Sequence, residues 1–430
     1  MRSDLASAHA ALDRWLDQRF EAAEPSAPLL DAFASAGVDA GGVEALLRAG
    51  RASYPPLPCT PGRVSPRLPL ACEHVDHATG MLLYVPVAYD PARAWPLVVV
   101  GHGGSAGRDL AFGERTARDG MAPWCEAAER LGLVLLAPLT DRGWGAIGNS
   151  ILFSALSRAT RMLHVDPERI HLTGHSMGGH LAWRSAMNFP DRFAAVGPMS
   201  GGYDFVADRA IENLGNTPGY ATWGTHEPFG IRESNRSNRA WLQAHAYPWA
   251  FAECAGGHEI FPDTVPRMAE FFLAHPRDLY RRSIRVRGGG PLAFTAADSH
   301  PGWGRTHAWN PRRPIATSSC HWLRLEPLPP GLPAGEAVQE IAGEWRDDNV
   351  IALACVNALR VHVRLHPRMV DFAQPITVVV NGAQVHRGRV APDVATMLEL
   401  ARAADDRGRL FHAELDIVVP GPLLSGVSPA

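Results

Sequence analysis

The sequence contains no lysine, so all 41 of its basic residues are arginine. Several kinds of catalytic site depend on a lysine side chain. A Schiff base forms on a lysine amine, a Walker A loop binds phosphates through its lysine, and a Ser-Lys dyad uses lysine as the base. The absence of lysine therefore excludes these three chemistries.

The sequence also lacks a large net charge and any long apolar run. The formal net charge of -3 gives no electrostatic reason to expect binding to nucleic acid or to an anionic membrane. No run approaches the ~18 apolar residues of a membrane span. Residues 1–20 contain acidic side chains and no apolar signal-peptide core. We expect a cytoplasmic protein, although a secreted form whose signal has been removed stays open.

The six cysteines are scattered and form no C-x-x-C pair. We expect them to be reduced thiols that mostly fill the core. They are Cys59, Cys72, Cys125, Cys254, Cys320 and Cys355.

The chain has 430 residues, more than the roughly 250–300 at which single cores stop growing. Three segments are expected. Residues 1–69 are predicted to form helices over 4–23 and 26–50, followed by a proline-rich connector. Residues 70–278 are expected to form the second domain, and residues 279–430 a β-rich accessory domain.

The middle segment alternates apolar strands with helices. The stretches "WPLVVVGHGG" and "LGLVLLAPLT" are apolar throughout, which is typical of strands buried on both faces. The fold class is therefore α/β, a mostly parallel sheet with helices on both faces. Such sheets bind ligands at the carboxyl ends of their strands.

The last segment has β-branched strands and one helix, "APDVATMLELARAA". Asn381-Gly382 lies between two such strands and predicts a type I′ hairpin. A mostly antiparallel β domain is expected.

The stretch "RIHLTGHSMGGH", residues 169–180, places a serine between glycines at the end of an apolar strand. Residues 174–178 fit G-x-S-x-G, the nucleophile elbow, in which crowding requires small residues two positions either side of the serine. The following helix directs its N-terminus at the site, where partial positive charge favours an oxyanion. Ser176 is the candidate nucleophile.

The base and the acid should follow the serine in the chain. His258 lies on a glycine-marked loop just after the last predicted strand of the middle segment. Glu227 directly follows a strand and is the preferred acid, with Asp204, after the preceding strand, as the alternative.

The oxyanion hole should combine the Met177 amide with a donor from the loop "GHGGSAG", residues 101–107. Gly104 is the first choice and Gly103 the second. His175 and Trp144 are candidates for the substrate pocket.

No metal or organic cofactor is expected. His74 and His77 form an H-x-x-H pattern in a polar turn, but they lack the further converging ligands that a zinc site needs.

Over residues 70–275 the sequence resembles the α/β-hydrolase superfamily. It is most similar to bacterial esterases of the polyhydroxybutyrate-depolymerase and feruloyl-esterase type, which border the prolyl-oligopeptidase-like hydrolases. The resemblance implies Ser176 as nucleophile, His258 as base and Glu227 as acid. Two departures affect the acid, because Trp223 and Glu227 stand where the family usually has His and Asp.

These patterns predict a serine esterase with a Ser-His-Glu triad and an acyl-enzyme intermediate, acting on a small-molecule or polymeric ester. A prolyl-oligopeptidase-like peptidase is the first alternative, and a thioesterase or lactonase is compatible with the same triad. A non-catalytic scaffold with a partner-binding β domain is the alternative of another class. The sequence does not determine the acyl group or the oligomeric state.

Overall fold

The computed structural model describes residues 2–18, 27–72, 78–104, 108–206, 209–288, 319–326 and 339–421. The described residues divide into two compact units. The α/β unit lies within Tyr54–Arg277. The β-rich unit lies within three segments, Met1–Ser53, Asp278–Leu292 and Thr317–Ala430.

The helices and strands of the described residues are numbered in chain order. The α-helices are α1 Arg2–Asp17, α2 Ala27–Ser35, α3 Ala40–Arg48, α4 Leu110–Leu131, α5 Ala146–Met162, α6 Met177–Asn188, α7 Ile231–Ala244, α8 Val265–Ala274 and α9 Val394–Ala404. The strands of the α/β unit are β1 Leu68–Ala71, β2 Ala78–Tyr84, β3 Trp95–Gly101, β4 Val134–Pro138, β5 Val165–His175, β6 Val196–Met199, β7 Gly219–Gly224 and β8 Trp249–Cys254. The strands of the β-rich unit are β9 Ser283–Gly288, β10 Ser319–Cys320, β11 Leu323–Leu325, β12 Gln339–Arg346, β13 Val350–Val356, β14 Arg360–Leu365, β15 Ile376–Val380, β16 Ala383–Gly388 and β17 Ala413–Val418.

The α/β unit contains one eight-stranded sheet in the order β1-β2-β4-β3-β5-β6-β7-β8. Strands β3 to β8 pair in parallel, and β1 and β2 join antiparallel at one edge. The carboxyl ends of the parallel strands consequently meet at one edge of the sheet. This topology is that of an α/β-hydrolase, so the predicted fold class is confirmed.

Both faces of the sheet are buried, as the apolar strands predict. Along β3, Val98 and Val100 pack in a cluster with α4 and α8, whereas Leu97 and Val99 pack in a second cluster with α5 and α6. Because successive side chains of a strand point to opposite faces, a strand covered on both faces must be apolar at every position.

The described residues of the β-rich unit form two sheets, β10-β11-β14-β17 and β16-β15-β13-β12-β9. All pairs are antiparallel except β13 with β15. Both sheets contribute side chains to one hydrophobic cluster, for example Val363 from the first and Ile351 from the second. Asn381 and Gly382 connect β15 to β16 with φ of 50° and 83°, the two positive angles of a type I′ turn.

The N-terminal helices belong to this unit and not to a separate segment. Leu12 of α1, Phe33 of α2 and Leu47 of α3 are buried in a cluster with Met397 and Leu398 of α9. The grouping of residues 1–53 with the C-terminal segment differs from the expected division at residues 69 and 278, because these helices bury their apolar faces against α9.

The single helix expected over 26–50 is wrong. Helix α2 ends before Gly37, which has φ of 66°, and Asp39 caps α3 by accepting the Gly42 amide at 2.9 Å. The glycine supplies the left-handed backbone that ends one helix, and the aspartate starts the next.

All six cysteines are free thiols. Within the described residues, no helix has the length and apolar character to cross a membrane.

Candidate active site

Ser176 lies in a strained turn between β5 and α6. Its φ is 57° and its ψ is -114°, a conformation that residues other than glycine rarely adopt. Its amide donates to the Met199 carbonyl at 2.9 Å. The turn lies at the carboxyl edge of the sheet, where the sequence placed it.

The glycines beside Ser176 are required by close backbone packing. A Cβ added to Gly174 would lie 2.4 Å from the Gly101 carbonyl oxygen, and one added to Gly178 would lie 1.9 Å from the same atom. No side chain fits at these distances. The crowding that G-x-S-x-G predicts is present on both sides of the serine.

His258 follows β8 and reaches Ser176 from a neighbouring loop. Its Nε2 lies 2.8 Å from the Ser176 Oγ. Its Nδ1 lies 2.7 Å from the Glu227 Oε2. The structure therefore brings together the three side chains predicted as nucleophile, base and acid, which follow β5, β8 and β7.

The Glu227 side chain is fully buried, whereas 27% of the His258 side chain is exposed. Burial raises the pKa of the Glu227 carboxyl, but hydrogen bonds from His258, the Ser200 side chain and the Gly224 amide outweigh burial and hold this pKa below its usual value. The Gly224 amide donates to Oε1 at 3.2 Å. Glu227 is thus ionised and fixed at both oxygens.

Asp204, the alternative acid, has a different environment. It is exposed, and its Oδ1 accepts the Val206 amide at 3.0 Å in its own loop. The carboxyl that meets His258 belongs to Glu227.

Gly103 lies beside Ser176, and Gly104 follows it in the same loop. A Cβ on Gly103 would lie 3.4 Å from the Ser176 Cβ. Gly104 has φ of 114°, and a Cβ there would lie 2.5 Å from the Phe112 ring. Gly104 therefore needs glycine, both for its positive φ and for the close Phe112 ring. Met177 is the first residue of α6, where amides have no acceptor within the helix.

His102 fixes the peptide between these glycines, a contact that the sequence analysis missed. Its Nε2 accepts the Thr140 amide at 3.0 Å, so the proton of the neutral ring is on Nδ1, which donates to the Gly103 carbonyl at 2.8 Å. Burial lowers the pKa of His102 and favours this neutral form. Because the peptide is trans, the Gly104 amide points away from His102. The only sequence signal was the position of His102 inside the glycine loop.

Of the two pocket candidates, Trp144 is buried and its indole donates to the His102 carbonyl at 3.0 Å. Trp144 therefore packs against the glycine loop and has little exposed surface for a substrate. His175 lies with its ring centroid 4.9 Å from that of His258. Burial and the neighbouring His258 lower the pKa of His175 to about 4, so its ring is neutral at pH 7.

A group of metal-ligand type occurs in the β-rich unit, where Glu44, His366 and His412 have ligand atoms within 4.8 Å of one another. Both histidine Nε2 atoms bond to the same Glu44 oxygen, at 3.2 and 2.7 Å. The Nδ1 of His366 accepts the Arg368 amide at 3.1 Å, which places the proton of the neutral ring on Nε2. A protonated Nε2 donates to Glu44 and has no lone pair for a metal. The Arg48 guanidinium also bonds to Glu44, at 2.8 Å. These contacts favour a hydrogen-bonded carboxylate–histidine group over a metal site.

His74 and His77 lie outside the described residues.

Residues 156–251 match the model of the Esterase family, described as putative esterase. The comparison with curated proteins gave no match. Similar solved structures include a thermostable esterase, at 22% identity over 49% of this chain and a TM-score of 0.43. A feruloyl esterase module from Clostridium thermocellum is similar at 14% identity over 51% of this chain and 91% of its own, with a TM-score of 0.38. Dipeptidyl peptidase 4 from Porphyromonas gingivalis is similar at 15% identity over 50% of this chain and 36% of its own, with a TM-score of 0.39.

The similarity spans 63% of the length of the thermostable esterase. At these identities and TM-scores, the solved structures provide no argument about substrate. The esterase segment, the sheet topology and the geometry around Ser176 indicate a serine hydrolase.

Proposed function

We propose that this chain uses Ser176 as the nucleophile of a Ser-His-Glu triad. Its family match and its sheet topology support a carboxylic ester hydrolase of the α/β-hydrolase type. One observation carries the proposal. An unbroken hydrogen-bonded series runs from Ser176 Oγ through both ring nitrogens of His258 to the buried Glu227 carboxylate, with links of 2.8 and 2.7 Å.

In the first half of the reaction, Ser176 Oγ attacks the ester carbonyl while His258 Nε2 takes the hydroxyl proton. The proton then passes from Nε2 to the departing alcohol, which leaves an acyl group on Ser176. Glu227 accepts a hydrogen bond from the Nδ1–H of His258. This bond selects the tautomer whose Nε2 can act as a base, and the carboxylate stabilises the imidazolium that forms.

In the second half, His258 Nε2 removes a proton from water while the water oxygen attacks the acyl carbonyl. Nε2 then returns this proton to Ser176 Oγ as the acyl C–O bond breaks, which releases the carboxylic acid and restores the hydroxyl. The negative oxygen of each tetrahedral intermediate is stabilised by the amides of Met177 and Gly104. Removing one such donor typically costs about 10²–10³ in rate. His102 and the trans peptide before Gly104 support this assignment over the Gly103 amide, because they hold the Gly104 N–H in one orientation.

The test is hydrolysis of p-nitrophenyl esters of increasing acyl length beside aminoacyl-p-nitroanilides. We expect turnover of esters and none of anilides. Turnover of anilides at a comparable rate would favour the peptidase alternative, and no turnover of either would favour the non-catalytic scaffold.

Two variants connect the activity to the site. Ser176→Ala should abolish hydrolysis, and a fluorophosphonate should label the wild-type protein at Ser176. His258→Ala should also abolish hydrolysis. His226→Ala is its matched control, because His226 is exposed and its ring bonds only to Thr225 among the described residues, at 3.1 Å. Label on another residue, or activity that survives Ser176→Ala, contradicts the proposal.

A further inference from the structure

Ser200 lies between the nucleophile and the acid without belonging to the triad. It directly follows β6, the strand between β5 and β7. It is completely buried, and its amide donates to the Thr222 carbonyl at 2.8 Å. Its φ of 46° is in the left-handed region, which glycine adopts more easily than serine. A residue other than glycine is disfavoured in this conformation, so backbone preference does not account for a serine at this position.

The hydroxyl bonds to the segment that carries the base. Ser200 Oγ donates to the carbonyl of Glu259, the residue after His258, at 2.9 Å. Met199, the residue before Ser200, accepts the Ser176 amide at 2.9 Å. Two consecutive residues at the end of β6 therefore hold the backbone of the nucleophile and the backbone beside the base.

The same hydroxyl also faces the acid. The Ser200 side chain is one of three groups whose hydrogen bonds lower the pKa of the Glu227 carboxyl, together with His258 and the Gly224 amide. One hydroxyl proton serves either the Glu259 carbonyl or the Glu227 carboxylate. The first orientation connects β6 to the residue after His258, and the second connects it to the carboxylate that bonds to His258.

We propose that Ser200 is a positioning residue that holds His258 at hydrogen-bond distance from Ser176. The proposal rests on the proposed esterase function. Ser200 contacts no reacting atom, and it acts through the backbone next to His258.

The test compares Ser200→Ala and Ser200→Gly with the wild-type protein. Both variants remove the hydroxyl, but glycine also relieves the left-handed backbone and protects the measurement if the alanine variant folds poorly. The matched control is Thr217→Val. The Thr217 hydroxyl is also completely buried and donates to a backbone carbonyl, that of Pro190, at 2.9 Å.

The measurements are kcat and KM for p-nitrophenyl acetate, the rate of fluorophosphonate labelling at Ser176, and the thermal unfolding midpoint. Displacement of a catalytic group by about 1 Å costs about 10²-fold in rate. We therefore expect both Ser200 variants to lower kcat about tenfold to a hundredfold, with KM within about twofold of wild type and labelling slowed by a similar factor. Thr217→Val should lower the unfolding midpoint and leave kcat unchanged.

A normal kcat in a folded Ser200→Gly or Ser200→Ala protein overturns the positioning role. A raised KM at normal kcat overturns it as well, because it would assign Ser200 to substrate binding. Failure of the proposed function gives a different pattern, in which wild type is not labelled at Ser176 or Ser176→Ala keeps full activity.

Discussion

Replacement of Glu227 by glutamine tests the acid of the proposed triad. The Gly224 amide donates to Oε1, so the amide oxygen of a glutamine would take that position and its NH₂ group would face His258 Nδ1. Nδ1 would then accept a hydrogen bond and the ring proton would move to Nε2, which faces Ser176 at 2.8 Å. In this tautomer His258 cannot act as a base towards the serine.

The expected loss in kcat is about 10⁴-fold, the size found when a triad carboxylate becomes an amide. This corresponds to about 5 kcal/mol of activation free energy. Glu227→Asp keeps the charge but withdraws the carboxyl by one C–C bond, about 1.5 Å. Its loss should be smaller, about 10²-fold, because the 2.7 Å contact with His258 is stretched but the carboxylate stays nearby.

The assay is steady-state hydrolysis of p-nitrophenyl acetate, with thermal unfolding to show that each variant is folded. Asp204→Asn is the control and should stay within about twofold of wild type, because Asp204 bonds within its own loop. A folded Glu227→Gln protein with near-normal kcat would refute the reasoning. A large loss in Asp204→Asn alone would move the acid to the end of β6.

Three further predictions concern stability. Gly178→Ala should unfold or inactivate the protein, because its Cβ would lie 1.9 Å from a backbone oxygen. Gly120→Ala in α4 should raise the free energy of unfolding by about 0.5–1 kcal/mol, since alanine favours a helix and its Cβ would lie 3.6 Å from the nearest atom. Thermal unfolding measures both effects. Acid should destabilise the β-rich unit, because folding lowers the pKa values of His366 and Glu44. The contribution of these two groups to the free energy of unfolding is complete above their unfolded pKa values of 6.5 and 4.5. It is lost as the pH falls from these values towards the folded ones. His366→Gln should remove the part of this loss that begins near pH 6.5, as denaturant titrations between pH 4.5 and 8 would show. Removal of 279–430 should cause aggregation visible by light scattering, because the N-terminal helices lose α9, and a fully soluble fragment would contradict this.

Much of the α/β unit could be predicted from sequence because its signals are local. A strand buried on both faces must be apolar at every position, and "WPLVVVG" meets that requirement over β3. Gly174 and Gly178 pack against the backbone of Gly101, where no side chain fits. The motif G-x-S-x-G therefore shows this close contact in the sequence itself. His258 and Glu227 were predicted from their positions after strands, because parallel strands end at one edge of the sheet.

The features that were missed depend on contacts between distant segments. The apolar faces of α1 to α3 are visible in the sequence, but nothing in their composition shows that Met397 and Leu398 cover them. Trp144 follows a strand end like a pocket residue, and only the structure shows its indole bonded to the His102 carbonyl. The position of a side chain along a loop does not determine whether it points to the substrate or into the core.

The order of the strands places Ser200 next to the proposed triad although no sequence motif contains it. Ser176 and Glu227 follow β5 and β7, and β6 lies between these strands, so a residue at the end of β6 lies between Ser176 and Glu227. Space there is limited, since a Cβ on Gly201 would lie 2.6 Å from the Ser176 carbonyl oxygen. Serine is the smallest residue whose side chain carries a hydroxyl that can donate a hydrogen bond. Substitutions at the end of β6 should therefore change the reaction at Ser176 even though they touch no substrate.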